Sequence, residues 1–376
     1  MGEGARAADV LIIGGGIVGC TTAYELAKQG ASVLVLEKTG IASEASGANA
    51  GMIGAATGIE SDSADFVRAS VALLYQAAEE LPDSFDLVRE GRMMVALTEA
   101  DVPSRRAVYD DAIAAGFRAE WLDGPAARAV EPALGDAVLA ATYLPDDGQI
   151  DPVLTTQAYA RAAQRLGARI ETGVTVTALL TAGGRIAGVR TLDGDYTSSQ
   201  VVLAAGAWSA QLAATVDLDV PVTPGKGQML ATEPLPPLTG RVVRAAVLGI
   251  RQNTRGEVIG GSTVEYVGFD KTVDADEMRR RLDVLGEMIP ALKRARIGRT
   301  WAGLRPMSPD SLPIVGAVQG IDGLWLATGH SRSGMSYAPG TGKAVADLIV
   351  QGATDLPLAK FAIDRFAATP VATPAN

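Results

Sequence analysis

The stretch ATGHSRSGM, residues 327–335, places the only histidine of the chain, His330, two residues before Arg332 in a run of glycine and serine. An imidazole moves protons near neutral pH, whereas a guanidinium holds a carboxylate through paired, charge-assisted hydrogen bonds. A polar turn that does neither is the third reading. Far upstream, GGGIVG sets glycines at 14, 16 and 19, and an acid, Glu37, follows. These types and spacings suit a dinucleotide. Gly14 allows a tight turn, Gly16 lets the backbone approach a pyrophosphate, Gly19 permits close helix packing, and the acid accepts both ribose hydroxyls of an adenosine.

The elements that must position these groups are legible around them. ADVLIIGGGIVGCTTAYELAKQGASVLVLEK reads as strand, glycine turn, helix and strand. Residues 10–13 are apolar throughout, which suits a strand buried on both faces. Ile17, Ala23, Leu26 and Ala27 form the buried stripe of the helix, and Gly30 ends it. The helix N-terminus offers free N–H groups to an anion. A second strand, 33–36, closes with Glu37. Cys20 lies inside the helix and reads as a small packed thiol.

The glycine motif alone does not separate NAD from FAD. A contiguous NAD domain would continue into further strand–helix units. Here the chain enters GIASEASGANAGMIG, 40–54, rich in small residues with side-chain and backbone donors. Such a loop can run along a pyrophosphate and bring Met52 against a flat ring, which points to FAD.

A length of 376 residues suits two domains or one large fold with an insertion. The net charge of −10, spread along the chain, argues against a nucleic-acid partner. One cysteine and one histidine exclude an internal disulfide and argue against a metal site; the lone thiol fits a reducing compartment, so a cytoplasmic location is expected. The N-terminus lacks a signal-peptide layout, and no stretch approaches the roughly 20 apolar residues of a membrane helix. Segments 91–98 and 256–264 read as strands, 155–206 as helix–strand alternation ending in a hairpin and a buried strand, and 324–329 as a strand running into a turn. SYAPGTGKAVADLIV then reads as a helix with Pro339 near its start. The tail ATPVATPAN is expected to be disordered.

GGGIVG with Glu37, SGANAGM (46–52), VVLAAGAWS (201–209), PGKGQ (224–228), WAGLRPMSPDSLPIVG (301–316) and LATGHSRSGMSYAPGTG (326–342) occur in this order. On these motifs the chain resembles, over nearly its whole length, the FAD-dependent D-amino-acid oxidase family, most of all its branch of glycine oxidase and the hydrogen cyanide synthase flavin subunit. The resemblance implies an α/β (α+β mixed) fold. A Rossmann-like FAD-binding domain would comprise segments 1–82, 148–219 and 301–365, and a substrate domain with an antiparallel sheet segments 83–147 and 220–300, leaving 366–376 as tail.

It also implies non-covalent FAD, since Cys20 lies at the wrong end and His330 is the only histidine. Gly14, Gly16 and Gly19, with Ile17 and Val18, would cradle the pyrophosphate, and Glu37 and Lys38 would hold the adenosine ribose. Ala45, Ser46, Asn49, Ala50, Gly51 and Met52 would run toward the flavin, and the Val174 backbone would meet adenine. Ala205, Gly206 and Trp208 would close over the cofactor. Gly329, His330, Ser331, Arg332, Ser333, Gly334, Met335 and Ser336 would wrap the pyrimidine end of the ring.

Arg305 and Arg332 match positions that bind the substrate carboxylate in this branch. A clamped carboxylate cannot rotate, so one Cα–H can be aimed at flavin N5. Hydride loss needs a neutral amine but no base on carbon, so His330 reads first as packing or backbone anchoring, with tuning of the amine or flavin as the other reading. The implied substrate pocket contains Met52, Gly249 where the branch carries a tyrosine, and Val264 where it carries a methionine; Tyr266 and Tyr337 are candidates to compensate. Glycine, sarcosine, a hydrazino analogue and small D-amino acids are the candidate substrates, oxidised to the imine with O₂ as acceptor and H₂O₂ as product. The alternative is a flavin subunit of a multi-component dehydrogenase that passes electrons to a partner. Lys226 in PGKGQ reads either as a cation beside the ring or as an ion-paired lysine. A homo-oligomer is compatible with all of this.

Overall fold

The computed structural model describes residues 6–54, 61–246, 248–261 and 263–366. Two sheets organise it. The first has six strands in the spatial order Ile314–Ala317, Leu324–Thr328, Val201–Leu203, Val10–Ile13, Val33–Glu37 and Arg169–Thr172. The last five are mutually parallel, with Ile12 opposite both Val35 and Val202, and Ile314–Ala317 adds an antiparallel edge. The strands come from four separated parts of the chain, so this Rossmann-like unit is discontinuous.

Alternation along the central strands sends side chains to two different cores. Val10, Ile12, Val33 and Val35 pack with the helices Ile17–Lys28, Ser61–Glu80, Pro152–Arg165 and Gly334–Gln351. Leu11, Ile13, Leu34 and Leu36 pack with Leu179, Ile186, Val189 and Tyr196 of the three-stranded antiparallel sheet Val176–Ala182, Arg185–Thr191 and Gly194–Thr197. A strand covered on both faces must be apolar at every position, which is why its sequence shows no polar alternation.

The second sheet has eight strands in the order Ile297–Met307, Thr223–Thr232, Val258–Gly261, Gly249–Gln252, Val242–Arg244, Arg92–Ala96, Ala140–Leu144 and Glu120–Asp123. It is antiparallel except where Val242–Arg244 runs parallel to Arg92–Ala96. One face carries Met93, Val95, Leu230, Val243 and Ile250 against Met278, Leu285 and Met288 of the amphipathic helix Ala275–Met288. The opposite face looks toward the six-stranded unit.

The strands expected over 91–98 and 256–264 are present but shorter, at Arg92–Ala96 and Val258–Gly261. The C-terminal helix begins at Gly334, earlier than the sequence suggests, so Pro339 falls inside it rather than in its first turn. The expected disordered tail lies outside the described residues apart from Phe366. Among the described residues no helix is long and apolar enough to cross a membrane.

Candidate active site

The turn between Val10–Ile13 and the first helix is built for backbone alone. Gly14 has φ +112°, and a Cβ there would stand 2.5 Å from the carbonyl oxygen of Ala204. A Cβ on Gly16 would stand 3.0 Å from Ser46 Oγ. Gly16 caps the helix without a side-chain hydrogen bond, and the first turn carries no acid. Glu37 ends its strand beside this turn, Oε2 accepting from Gly15 N at 2.7 Å and Oε1 from Thr39 N at 2.8 Å. Each oxygen keeps a second acceptor direction, the capacity a ribose diol needs. Lys38 Nζ lies 3.2 Å from the centroid of the Trp208 ring and 3.3 Å from Glu44.

Loop 45–52 is held between the two sheets. Ser46 Oγ accepts from Ile17 N at 2.9 Å, Asn49 Nδ2 donates to Ser46 O at 2.6 Å, and Gly51 N donates to Asn49 Oδ1 at 2.7 Å. Trp301 Nε1 donates to Ala48 O at 3.0 Å. The fully buried Arg251 donates to Ala50 O, and burial pulls its guanidinium pKa down to about 10. Neither Arg251 nor Trp301 was marked by sequence, because the contact spans sequence separations above 200 residues.

A single cavity of about 880 Å³ runs from the glycine turn to the eight-stranded sheet. Gly14, Gly16, Ile17, Val18, Glu37 and Lys38 line it at the turn, as do Ala45, Ser46, Asn49, Ala50, Gly51 and Met52 of the loop. Val174, Ala205, Gly206 and Trp208 follow, then Arg305, residues 330–336 and Gly249. Gly19, Gly329 and Val264 fall outside the lining. Gly19 faces the turn itself, since a Cβ there would stand 2.0 Å from Gly14 O; its role in this fold is packing. Gly329 backs onto Ile314, and Val264 lies beside Gly225. Of the two tyrosines, Tyr337 lines the cavity, whereas Tyr266 is 58% exposed elsewhere.

Lys226 is likewise not in the lining; its ammonium lies 3.0 Å from Glu265 and 3.5 Å from Asp270, and the Glu265 hydrogen bond raises its pKa. Cys20 is buried, and desolvation pushes its thiol pKa up. His330 is also buried, with Nε2 3.0 Å from Thr341 Oγ1, and desolvation lowers its pKa to about 3. It is therefore a neutral imidazole near neutral pH.

The far end of the cavity is cationic. Arg305 donates to Thr263 O at 2.7 Å, and burial followed by the charge of Arg332 lowers its pKa to about 10. Arg332 lines the cavity with an exposed side chain, and desolvation by the protein around it lowers its pKa. Sequence reasoning missed Arg92 and Arg244, which line the same end. Arg92 is held by the buried Asp147 at 2.5 Å. Among the described residues no group of His, Cys, Asp or Glu is placed to hold a metal.

The arrangement fits FAD on its own geometry. A Cβ-free turn and a helix start whose cap residue Gly16 brings no side chain can take a pyrophosphate, an acid with free acceptor directions lies beside it, and a loop of small residues leads to the opposite sheet. Comparison with known proteins agrees. Residues 9–348 match the family model described as FAD dependent oxidoreductase. The chain is 31% identical to hydrogen cyanide synthase subunit HcnC of Pseudomonas protegens, covering 96% of this chain and 97% of that one. It is 32% identical to glycine oxidase of Geobacillus kaustophilus, covering 95% and 97%. The crystal structure of glycine oxidase from Geobacillus kaustophilus superposes with a TM-score of 0.90 over 96% of this chain and 99% of that one, at 31% identity. The chain thus belongs to the D-amino-acid oxidase family of FAD-dependent oxidoreductases, on the branch of glycine oxidase and HcnC.

Proposed function

We propose that this oxidoreductase converts a small amino acid or N-substituted glycine to its imine, with FAD held non-covalently and O₂ as acceptor. The observation that carries this reading is the convergence of Arg305 and Arg332 on one end of the cavity whose other end is the glycine turn. Gly14, Gly16 and the start of the first helix would hold the pyrophosphate, Glu37 the ribose, and loop 45–52 with residues 330–336 the ring. Bound flavin supplies the two-electron acceptor for the hydride lost from Cα, and O₂ takes those electrons up as H₂O₂. Arg332 and Arg305 grip the carboxylate, which stops the substrate from turning and orients one Cα–H. The nitrogen must reach the site unprotonated so that its lone pair can form the C=N bond. His330, neutral and bonded to Thr341, shapes the turn that presents Arg332 rather than taking a proton.

A second reading is favoured by the name of one relative, a subunit of hydrogen cyanide synthase: electrons would then pass to a partner protein. Anaerobic mixing of the yellow protein with glycine, sarcosine, hydrazinoacetate and a panel of D- and L-amino acids tests both. Bleaching of the flavin followed by rapid recolouring in air supports the oxidase. Bleaching that persists in air supports the partner-dependent dehydrogenase, and no bleaching by any of them overturns the substrate class.

A further inference from the structure

One row of residues crosses the eight-stranded sheet directly beneath the cavity. Met94 pairs with Arg244, Arg244 with Gly249, Gly249 with Gly261, and Gly261 with Met229. All five line the cavity. The two glycines leave a trough in the row, and a side chain on Gly249 would meet what fills it: a Cβ there would stand 2.9 Å from Met52 Cε and 3.4 Å from Arg244 Cγ. Where the branch resemblance predicts a tyrosine, this chain therefore has a glycine flanked by a guanidinium.

Among the described residues that guanidinium has no anionic partner: Arg244 makes no hydrogen bond and no ion pair. The carboxylates that line the cavity are committed elsewhere: Glu37 to the Gly15 and Thr39 amides, Glu44 to Lys38 and Lys271, and Asp310 to Arg365. Asp147 is taken by Arg92. Burial and then the charges of Arg332, Arg92, Arg105 and Arg305 lower the pKa of Arg244 to about 9, the signature of a cation held among cations. A half-buried cation without a partner is costly unless a ligand supplies an anion. A single substrate carboxylate gripped by Arg305 and Arg332 leaves Arg244 unmatched.

We propose that Arg244 receives a second acid group on the substrate, so that the site selects a small amine carrying two acid groups over glycine. This rests on the proposed oxidation of a small amino acid. The second acid could sit on an arm of the nitrogen or on the side chain; the shared chemistry is the dianion, and inert analogues separate the two positions. Arg244 acts here as a specificity residue and takes no part in the loss of hydride.

The test is calorimetric titration of the FAD-loaded protein with diglycolate against methoxyacetate, which mimic the nitrogen arm with and without its second acid, and with succinate against propionate, which mimic the side chain. In the native chain one diacid binds roughly 10–100-fold more tightly than its monoacid, the gain expected of charge-assisted hydrogen bonds. The pair that shows the gain locates the second acid. In Arg244→Met that ratio collapses toward one, and in Arg244→Lys it is partly restored, with flavin absorbance and melting temperature checking that both variants are loaded and folded. Equal binding of diacids and monoacids by the native chain, or a ratio that survives in Arg244→Met, overturns the role of Arg244 and leaves the oxidase reading standing. A shift of flavin reduction potential in Arg244→Met without loss of the ratio overturns it as well, assigning the cation to the ring. If none of the four acids binds, the carboxylate-anchored substrate site itself is wrong.

Discussion

The Glu37 carboxylate accepts the backbone N–H of Gly15 at 2.7 Å, tying the acid that ends one parallel strand to the glycine turn that follows its neighbour. The same oxygen pair also holds Thr39 N at 2.8 Å, so Glu37 shapes the turn in addition to facing the cavity. Removing it orphans a buried amide beside the pyrophosphate seat. Glu37→Ala should weaken FAD binding by roughly 10–100-fold, the loss of one or more charged hydrogen bonds, and Glu37→Gln by less. Fluorescence titration of apoprotein with FAD measures this, and an unchanged dissociation constant in Glu37→Ala would remove the residue from the nucleotide site.

Arg332 and Arg305 are expected to act on substrate, not on cofactor retention. Arg332→Ala should purify yellow yet lose about 10²–10⁴-fold in kcat/KM, as for one or two charged hydrogen bonds that orient the reacting carbon. Near-normal turnover in steady-state assays would mean that another group anchors the carboxylate.

His330 makes the fold sensitive to acid. Its folded pKa of about 3 lies below the ordinary 6.5, so between these values the unfolded chain holds a proton that the folded chain does not. The contribution is fully present above about pH 6.5 and is lost as pH falls toward 3, at up to roughly 1.4 kcal/mol per pH unit. Urea unfolding from pH 7 down to pH ~4.5 should show a shallower loss for His330→Gln than for the native chain, other carboxylates being common to both. Parallel curves would contradict a buried neutral imidazole.

Gly342 lets the C-terminal helix approach the first helix, since a Cβ there would stand 2.6 Å from Thr21 C and 2.8 Å from Thr22 N. Alanine is the better helix former by about 1 kcal/mol, so propensity alone predicts stabilisation. Backbone on backbone cannot yield as a side-chain tip can, and Gly342→Ala should instead destabilise by about 1–3 kcal/mol. A melting temperature at or above that of the native chain would show that the helices separate without cost.

Much of the nucleotide half is legible in the sequence because its information is local. The strand at 10–13, the Gly14 turn, the helix stripe and Glu37 lie within one short run, where apolar periodicity and glycine spacing act on neighbouring residues. The carboxylate-binding candidates Arg305 and Arg332 were likewise marked by the motifs around them. Gly19, read from its spacing as a packing glycine, indeed faces the Gly14 carbonyl; it does not line the cavity at the pyrophosphate end, where the resemblance also placed it.

The substrate end was decided by tertiary structure. Arg92 and Met94 sit on a strand far upstream of the three consecutive strands that carry Arg244, Gly249 and Gly261. Which strands become neighbours, and in what register, depends on long-range pairing, and a shift of one residue would turn every one of these side chains to the opposite face. No local pattern around VVRAAVLGI tells whether Arg244 points to solvent, to the core or to the cavity. The sequence alone therefore specified a dinucleotide-binding chain, and its motifs marked Arg305 and Arg332 as candidates for a carboxylate anchor. Arg244 and Gly249 are neighbours in one local hairpin, but only the folded sheet, through its pairing with the distant strand Arg92–Ala96, turned them toward the cavity, because the face a strand presents is a property of the whole fold.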